Sequence, residues 1–431
     1  MNLTVYLGDI LETIKSIEDN TYSAIVTDPP YGLSGDPNME DVLRGWLDGT
    51  GYNHTGKGFK NSEWDEFVPP PEVWKELYRV SKPGAIMLVY SGTRTSDIMG
   101  VSVRLGGWQK FDELDVFGPI NQFSWIYSTA MPKSTNISKA ADKAAGFQGE
   151  IIKETSYPDI RNGHGREYGS SLFAREDTGT IVHAERAPVT DTAREWHGYG
   201  TALNPAHEVI MLFRKPKEGT FLENAVKHGT GVLNIAKTRI GGSVDGRWPK
   251  NVLLSCCNGS LDDCKCPILD VDEQTEHSSS RKAHRGAGIN GNLFKSPEYS
   301  STVRGHDDSG SKSRFFYVNK ASTRERDAGL DQKNPHPTVK PVELSAYLAA
   351  MVVPPETYLD TAKIAVPFSG SGSEIIGAML AGWRNIDGFE QSAIYADVTL
   401  QRFDWWCKMV EQLNTNDVKS IISQSNRSTN E

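Results

Sequence analysis

At 431 residues, 38% of them hydrophobic, the chain is long enough for two or three domains of roughly 150 residues, each with its own core. The 46 Lys plus Arg against 55 Asp plus Glu leave a formal net charge of -9, which excludes a histone-like coat on nucleic acid but not a local basic surface. Five cysteines, four of them between 256 and 266, are an odd set and no secreted disulfide framework. The opening MNLTVYLGDILETIK has acids at Asp9 and Glu12 and no basic n-region, and no run approaches ~18 apolar residues, so a soluble, cytoplasmic protein without membrane association is expected.

Along the chain, Ile10, Ile14 and Ile17 fall at helical spacing, and the apolar Ala24-Ile25-Val26 stops at Asp28 and two prolines, the pattern of a buried strand ending in a polar loop. Residues 33–71 are glycine-rich and read as a long loop beside a site, with the character of a lid. Val73, Trp74, Leu77, Tyr78 and Val80 mark a helix closed by Lys82-Pro83-Gly84, after which Ala85 to Tyr90 predicts a strand. A helix over 95–106 and a strand over Phe123 to Tyr127 follow.

From 131 to 335 the alternation gives way to Ser, Gly, Asn, Lys and Arg, with short strand-like runs at 207–213 and 251–255, and this is read as an inserted region. Within it, 281–327 holds ten Lys plus Arg against five acids, and 275–313 is polar enough to be partly disordered without a partner. Regular pattern returns with a helix from 341 to Val353, a strand Lys363 to Val366, a glycine loop, a helix Glu374 to Ala381, a strand Ile386 to Glu390 and a long amphipathic helix. The expected parts are therefore two halves of one α/β core, 1–130 and 336–415, an insertion at 131–335, and a frayed tail at 416–431.

Three motifs carry the chemistry. Asp28-Pro29-Pro30-Tyr31-Gly32 stands at a strand end, where ligands bind in open α/β sheets. An exocyclic amine on a nucleobase is a poor nucleophile because its lone pair is delocalised; a carboxylate from Asp28 and a carbonyl from Pro29 accepting its N–H protons would favour a pyramidal nitrogen and stabilise the cation formed on attack. The prolines stiffen the turn, and Tyr31 offers a face for a base. The second motif, Phe368-Ser369-Gly370-Ser371-Gly372-Ser373, opens a helix after a strand, and Glu390 ends the next strand like an acid that holds ribose hydroxyls, which together suggest a nucleoside-containing cofactor. Neither the dinucleotide fingerprint nor a P-loop is present.

The third, His336-Pro337-Thr338-Val339-Lys340-Pro341, could hold a carboxylate but alone reads as a helix-entry loop. Asp9 with Glu12 has the spacing of a capping box. Cys256, Cys257, Cys264 and Cys266, with His277 or His284 nearby, could wrap one zinc, but their spacing departs from the usual pairs and free thiols are the favoured reading, so no metal is expected.

In this order the motifs resemble those of the beta-type amino DNA methyltransferases, where the catalytic motif precedes the cofactor motif. MPKSTNISKA (131–140), HGTGVLNI (228–235), GRWPKNVLL (246–254) and SRFFYVNKAS (313–322) further resemble stretches of phage and prophage modification methylases. The resemblance implies a Rossmann-like, seven-stranded class I methyltransferase core, mostly parallel and circularly ordered, with an inserted target-recognition region. It implies that Asp28, Pro29, Pro30 and Tyr31 bind and activate a base flipped from double-stranded DNA, with Asp9 near that base. Phe368, Gly370, Gly372, Ser373 and Glu390 would hold S-adenosylmethionine, with Thr338 and Lys340 near its carboxylate. Asp before Pro-Pro favours N6 of adenine over N4 of cytosine in this family.

Arg281, Lys282, Arg285, Lys312, Arg314 and Arg324 are the expected phosphate or base contacts. The family usually carries Asp-Pro-Phe before the glycine loop, whereas this chain has Val366-Pro367-Phe368, its nearest preceding acid being Asp360. Two rivals are a methyltransferase of amides or RNA amines, against which the motif order counts, and a DNA-binding accessory protein that has lost catalysis.

Overall fold

A computed structural model describes residues 1–32, 37–52, 67–110, 122–127, 134–158, 174–175, 180–242, 246–256, 278–280, 283–285, 302–304, 308–310, 316–320 and 323–424. They divide into two compact units, 1–129 with 206–431, and 130–205.

The larger unit is built on one sheet, ten-stranded among the described residues where seven strands are expected from sequence. Its strands are β1 (Asn2–Leu7), β2 (Tyr22–Thr27), β3 (Ser81–Gly92), β4 (Gln109–Lys110), β5 (Gln122–Ile126), β6 (His207–Arg214), β7 (Val252–Cys256), β8 (Tyr317–Lys320), β9 (Lys363–Pro367) and β10 (Asn385–Glu390). The order is β1-β10-β9-β2-β3-β6-β5-β7-β8, with β4 pairing onto β6. Pairing is parallel except around β6, which runs antiparallel to β3, β4 and β5.

The strand runs at 207–213 and 251–255, read from sequence as part of the insertion, thus lie inside the sheet. Their apolar residues are short of a helix's length and suit a strand buried on both faces.

Side chains alternate between two cores. Ala24, Val26, Ile86, Leu88, Tyr90, Ile364 and Val366 face one, covered by helices α4 (Val342–Met351), α5 (Ser373–Ala381) and α6 (Ala393–Leu413). Ile25, Met87, Val89, Ala365 and Phe389 face the other, covered by helices α1 (Met39–Leu47), α2 (Pro71–Val80) and α3 (Ser96–Leu105). The period of two sends neighbours to opposite faces, and helices on both faces explain why the strands read as continuous apolar runs. Every residue of α5 is buried, as its nearly all-apolar sequence requires.

Three local readings change: the tail expected to be frayed holds a helix, Val418–Gln424, whose Val418 and Ile421 are buried in the first core. Helix α1 lies within the stretch expected to be loop: Asn38 caps it by accepting from the Glu40 amide at 3.1 Å, and Val42 and Trp46, four residues apart, bury one face in the second core. Lys82-Pro83-Gly84 does not separate helix from strand. It forms an irregularity inside β3, where pairing jumps from Tyr22–Ser81 to Ala24–Ile86 and Gly84 takes φ +75°.

Residues 130–205 hold a three-stranded antiparallel sheet of Ile151–Pro158, Thr180–Arg186 and Ala174–Arg175, with helices Ile137–Ala144 and Asp191–Glu195. The Asp142 carboxylate there accepts from the amides of Val189 and Thr190 and from the Thr190 hydroxyl at 2.9–3.0 Å, bonds that hold its pKa below the usual carboxylate range. In the polar stretch, Ser278–Ser280 pairs with Asp308–Gly310 and Ala283–Arg285 with Thr302–Arg304, both antiparallel. Among the described residues no helix is long and apolar enough to cross a membrane.

Candidate active site

Strands β1, β10, β9, β2 and β3 are mutually parallel, so their C-terminal ends share one edge and collect the three motifs. The ends of β2 and β9 are tied directly: the Thr27 hydroxyl donates to the Pro367 carbonyl at 2.8 Å. Asp28-Pro29-Pro30-Tyr31 leaves β2, and Phe368 to Ser373 leaves β9 toward α5, as the sequence spacing requires.

The Asp28 carboxylate is mostly buried, with its side chain 14% exposed. Its Oδ2 lies 2.8 Å from the ammonium of Lys340, while Oδ1 is buried with no hydrogen-bond partner. A buried unpaired carboxylate oxygen is costly, and such groups mark places where a ligand's donor belongs. Lys340 also approaches Glu208 Oε2 at 3.4 Å and stands 5.0 Å from the centroid of the Tyr31 ring. Burial alone would lower its pKa, but the carboxylates of Asp28 and Glu208 outweigh burial and hold the ammonium charged, above its ordinary range.

Tyr31 is held from several sides. Its hydroxyl donates to Glu208 at 2.8 Å, its carbonyl accepts from the Thr95 hydroxyl at 2.6 Å, and its ring lies against Gly92, where a Cβ would come within 3.1 Å. Burial first, then the charges of Asp28 and Glu208, raise the phenol's pKa well above its ordinary value and keep it a donor. Glu208 was not singled out in the sequence. It is the second residue of β6, after His207, and the antiparallel register sets it opposite Gly92 at the same edge; an acid directly before the apolar run 209–213 was its one legible signal.

The glycine loop is shaped by left-handed backbone at Phe368 (φ +56°), Gly370 (φ +52°) and Gly372 (φ +82°). A Cβ on Gly372 would lie 2.8 Å from the Thr399 methyl, so this position is closed to other residues. Glu390 faces the loop and is fixed by it: Gly370 N donates to Oε2 and Ser392 N to Oε1, both at 2.8 Å. Each carboxylate oxygen keeps a second lone pair for a ligand hydroxyl. Burial raises the Glu390 pKa, partly offset by these amides.

From behind, buried Arg402 donates to the Ser371 carbonyl and, at 3.4 Å, to the Ser373 hydroxyl, so Ser373 faces Arg402.

Asp9 caps the short helix Ile10–Thr13 through Leu11 N at 2.7 Å, while Glu12 pairs with Lys15 instead of closing a capping box. Its neighbour Gly8 bonds to the Glu390 carbonyl, and three strand spacings, roughly 14 Å, separate β1 from β2, so the topology sets Asp9 beside the glycine-loop side and not beside Asp28. Thr338 is exposed, its amide donating to His336 Nδ1 at 3.3 Å. Lys340, expected near a cofactor carboxylate, lies against Asp28.

Val366 is buried in the first core and paired in unbroken register with Gly388, so no acid occupies the expected place, and Asp360 is bound to Arg384 at 2.6 Å. Arg324 is exposed on the helix Thr323–Asp327 and Arg285 lies on a described strand, whereas Arg281, Lys282, Lys312 and Arg314 lie outside the described residues. Among the described residues no group of His, Cys, Asp or Glu is placed to hold a metal, and Cys257, Cys264 and Cys266 lie outside them.

A family model described as DNA methylase, for the N6/N4 methyltransferases, matches residues 22–401, and the chain belongs to that family. Its substrate is therefore DNA and its methyl donor S-adenosylmethionine. No curated protein matches the sequence. Among solved structures, the chain is similar to PvuII DNA methyltransferase (cytosine-N4-specific), at 12% identity and TM-score 0.43, over 94% of this chain and 86% of that one. It is also similar to M1.HpyAVI in complex with S-adenosylmethionine, at 11% identity and TM-score 0.36, over 93% and 99%.

The residues fit the donor: a loop of small residues entering a helix N-terminus, with a fixed acid across from it, is what a nucleoside carrying an amino acid needs.

Proposed function

We propose that the chain methylates N6 of adenine in double-stranded DNA, acting on a base turned out of the helix. The observation that carries this reading is the buried, unpartnered Oδ1 of Asp28 at the edge where the glycine loop begins. Asp in place of Ser before Pro-Pro supports adenine over cytosine through the resemblance to the beta-type enzymes. The order of the motifs, catalytic before cofactor, supports a circularly ordered core whose cofactor half follows the insertion. The parts of 131–335 that lie outside the sheet, with their basic stretch, are then the target-recognition region.

S-adenosylmethionine supplies a methyl group made electrophilic by a positively charged sulfur, and Phe368, Gly370, Gly372 and Glu390 would hold it. The chain's own residues prepare the amine. Asp28 Oδ1 accepts one N–H and the Pro29 carbonyl the other, drawing the nitrogen lone pair out of conjugation with the ring. As positive charge develops on nitrogen the carboxylate stabilises it, and Asp28 is the first acceptor for the proton the methylated amine must lose. Tyr31, its hydroxyl engaged by Glu208, offers a fixed ring for stacking.

The test is nucleoside mass spectrometry on DNA from cells expressing the full chain beside an Asp28→Ala control. N6-methyladenine absent from the control is the expected result. N4-methylcytosine would retain the mechanism and overturn the base assignment, and no methylated base in either sample would contradict the reading.

A further inference from the structure

A buried lysine is normally matched by one acid, yet Lys340 has Asp28 at 2.8 Å and Glu208 at 3.4 Å. It comes from the loop entering α4, Asp28 from the end of β2 and Glu208 from the start of β6, so three separate elements converge on a single ammonium. Its side chain is 7% exposed. Such convergence is costly in desolvation and is retained where orientation matters.

We propose that Lys340 and Glu208 are positioning residues for the methyl transfer: Lys340 engages Oδ2 of Asp28 so that Oδ1 is the oxygen presented to the amine, and Glu208 anchors the ammonium from its other side while fixing the Tyr31 hydroxyl. This gives Lys340 a task on the base side of the site, not at the cofactor's carboxylate. It rests on Asp28 being the catalytic carboxylate.

Without the ammonium, Oδ2 of Asp28 loses its partner at 2.8 Å and nothing fixes which oxygen meets the amine. Without the carboxylate of Glu208, Lys340 loses its second anchor and the Tyr31 hydroxyl its charged acceptor.

Other groups face the cluster. Glu374 on α5 is a further buried acid, its carboxyl raised by burial and by Asp28, and Tyr31, Tyr90 and Tyr127 surround it with phenols raised above their ordinary range. His336 also lies near Lys340, its pKa lowered to about 4 by burial and by that ammonium.

The experiment measures kcat, the KM for duplex DNA and, by calorimetry, S-adenosylmethionine affinity for full-length wild type, Lys340→Met, Lys340→Arg and Glu208→Gln. For Lys340→Met the expected result is a kcat at least tenfold lower, with cofactor affinity within twofold of wild type and partial recovery of kcat in Lys340→Arg. For Glu208→Gln kcat falls severalfold with cofactor affinity unchanged. Cofactor affinity lost tenfold in Lys340→Met with kcat at saturation unchanged would overturn the proposal in favour of a cofactor contact. If Lys340→Met does not fold, Glu208→Gln decides: a wild-type kcat overturns the proposal. Retained transfer by Asp28→Ala would overturn the underlying reading; its loss, with wild-type kcat in the other variants, would overturn the positioning roles alone.

Discussion

The hydroxyl of Thr27, the last residue of one strand, donates at 2.8 Å to the carbonyl of Pro367, 340 positions away at the end of its neighbour. That bond fixes the start of the Asp28 loop against the start of the glycine loop. Thr27→Val keeps the shape and removes the donor, and a cost of about 1 kcal/mol in denaturant unfolding is expected. A larger fall in kcat than in stability would show that the bond serves the alignment of the two loops; unchanged kcat would show that it does not.

Gly372 is the second lever. Its φ of +82° and the Thr399 methyl 2.8 Å from a Cβ make Gly372→Ala strained and crowded at the helix entrance. The conformational part alone is about 1–2 kcal/mol. We expect S-adenosylmethionine affinity to fall tenfold or more by calorimetry; wild-type affinity in the folded variant would argue that the loop does not hold the cofactor.

Much of this architecture was legible beforehand. Ala24 to Val26, Lys363 to Val366 and Ile386 to Glu390 are apolar runs that stop at polar residues, and two-sided burial makes such runs stand out from helices. Asp28, the glycine loop and Glu390 follow because each sits at a run's end. The association of Lys340 with Asp28 was not legible, since it depends on which strands neighbour which, and parallel order is set by crossovers across hundreds of residues. Glu208 was hidden inside a region read as insertion, where β6 is bordered by irregular sequence. The helix Met39–Leu47 was masked by surrounding glycines, although Val42 and Trp46 already carried its spacing.

Glu325 gives a pH prediction. Its carboxyl is raised to about 7, first by burial, against the lowering effects of the Val342 amide and Arg402. A group raised on folding stabilises below its unfolded pKa, and that contribution is lost as pH rises through the folded value. Glu325→Gln removes this dependence, so the variant should gain stability relative to wild type between about pH 4.5 and pH 7. Denaturant midpoints across that window would check it, and a constant difference would contradict it.

The basic stretch is tested by salt. Each phosphate contact contributes about 0.9 to the slope of log affinity against log salt. If Lys312 and Arg314 each meet one phosphate, their joint replacement by Ala lowers the slope by roughly 2. An unchanged slope and affinity would remove them from the DNA interface.

The central claim is that Asp28 performs the chemistry at an edge where the glycine loop holds the donor. Its most direct test is single-turnover methyl transfer to duplex DNA by purified wild type and Asp28→Ala, with cofactor affinity measured on the same preparations. The account predicts that Asp28→Ala binds S-adenosylmethionine within a fewfold of wild type and transfers methyl at least a hundredfold more slowly. Transfer at the wild-type rate by that variant would contradict it.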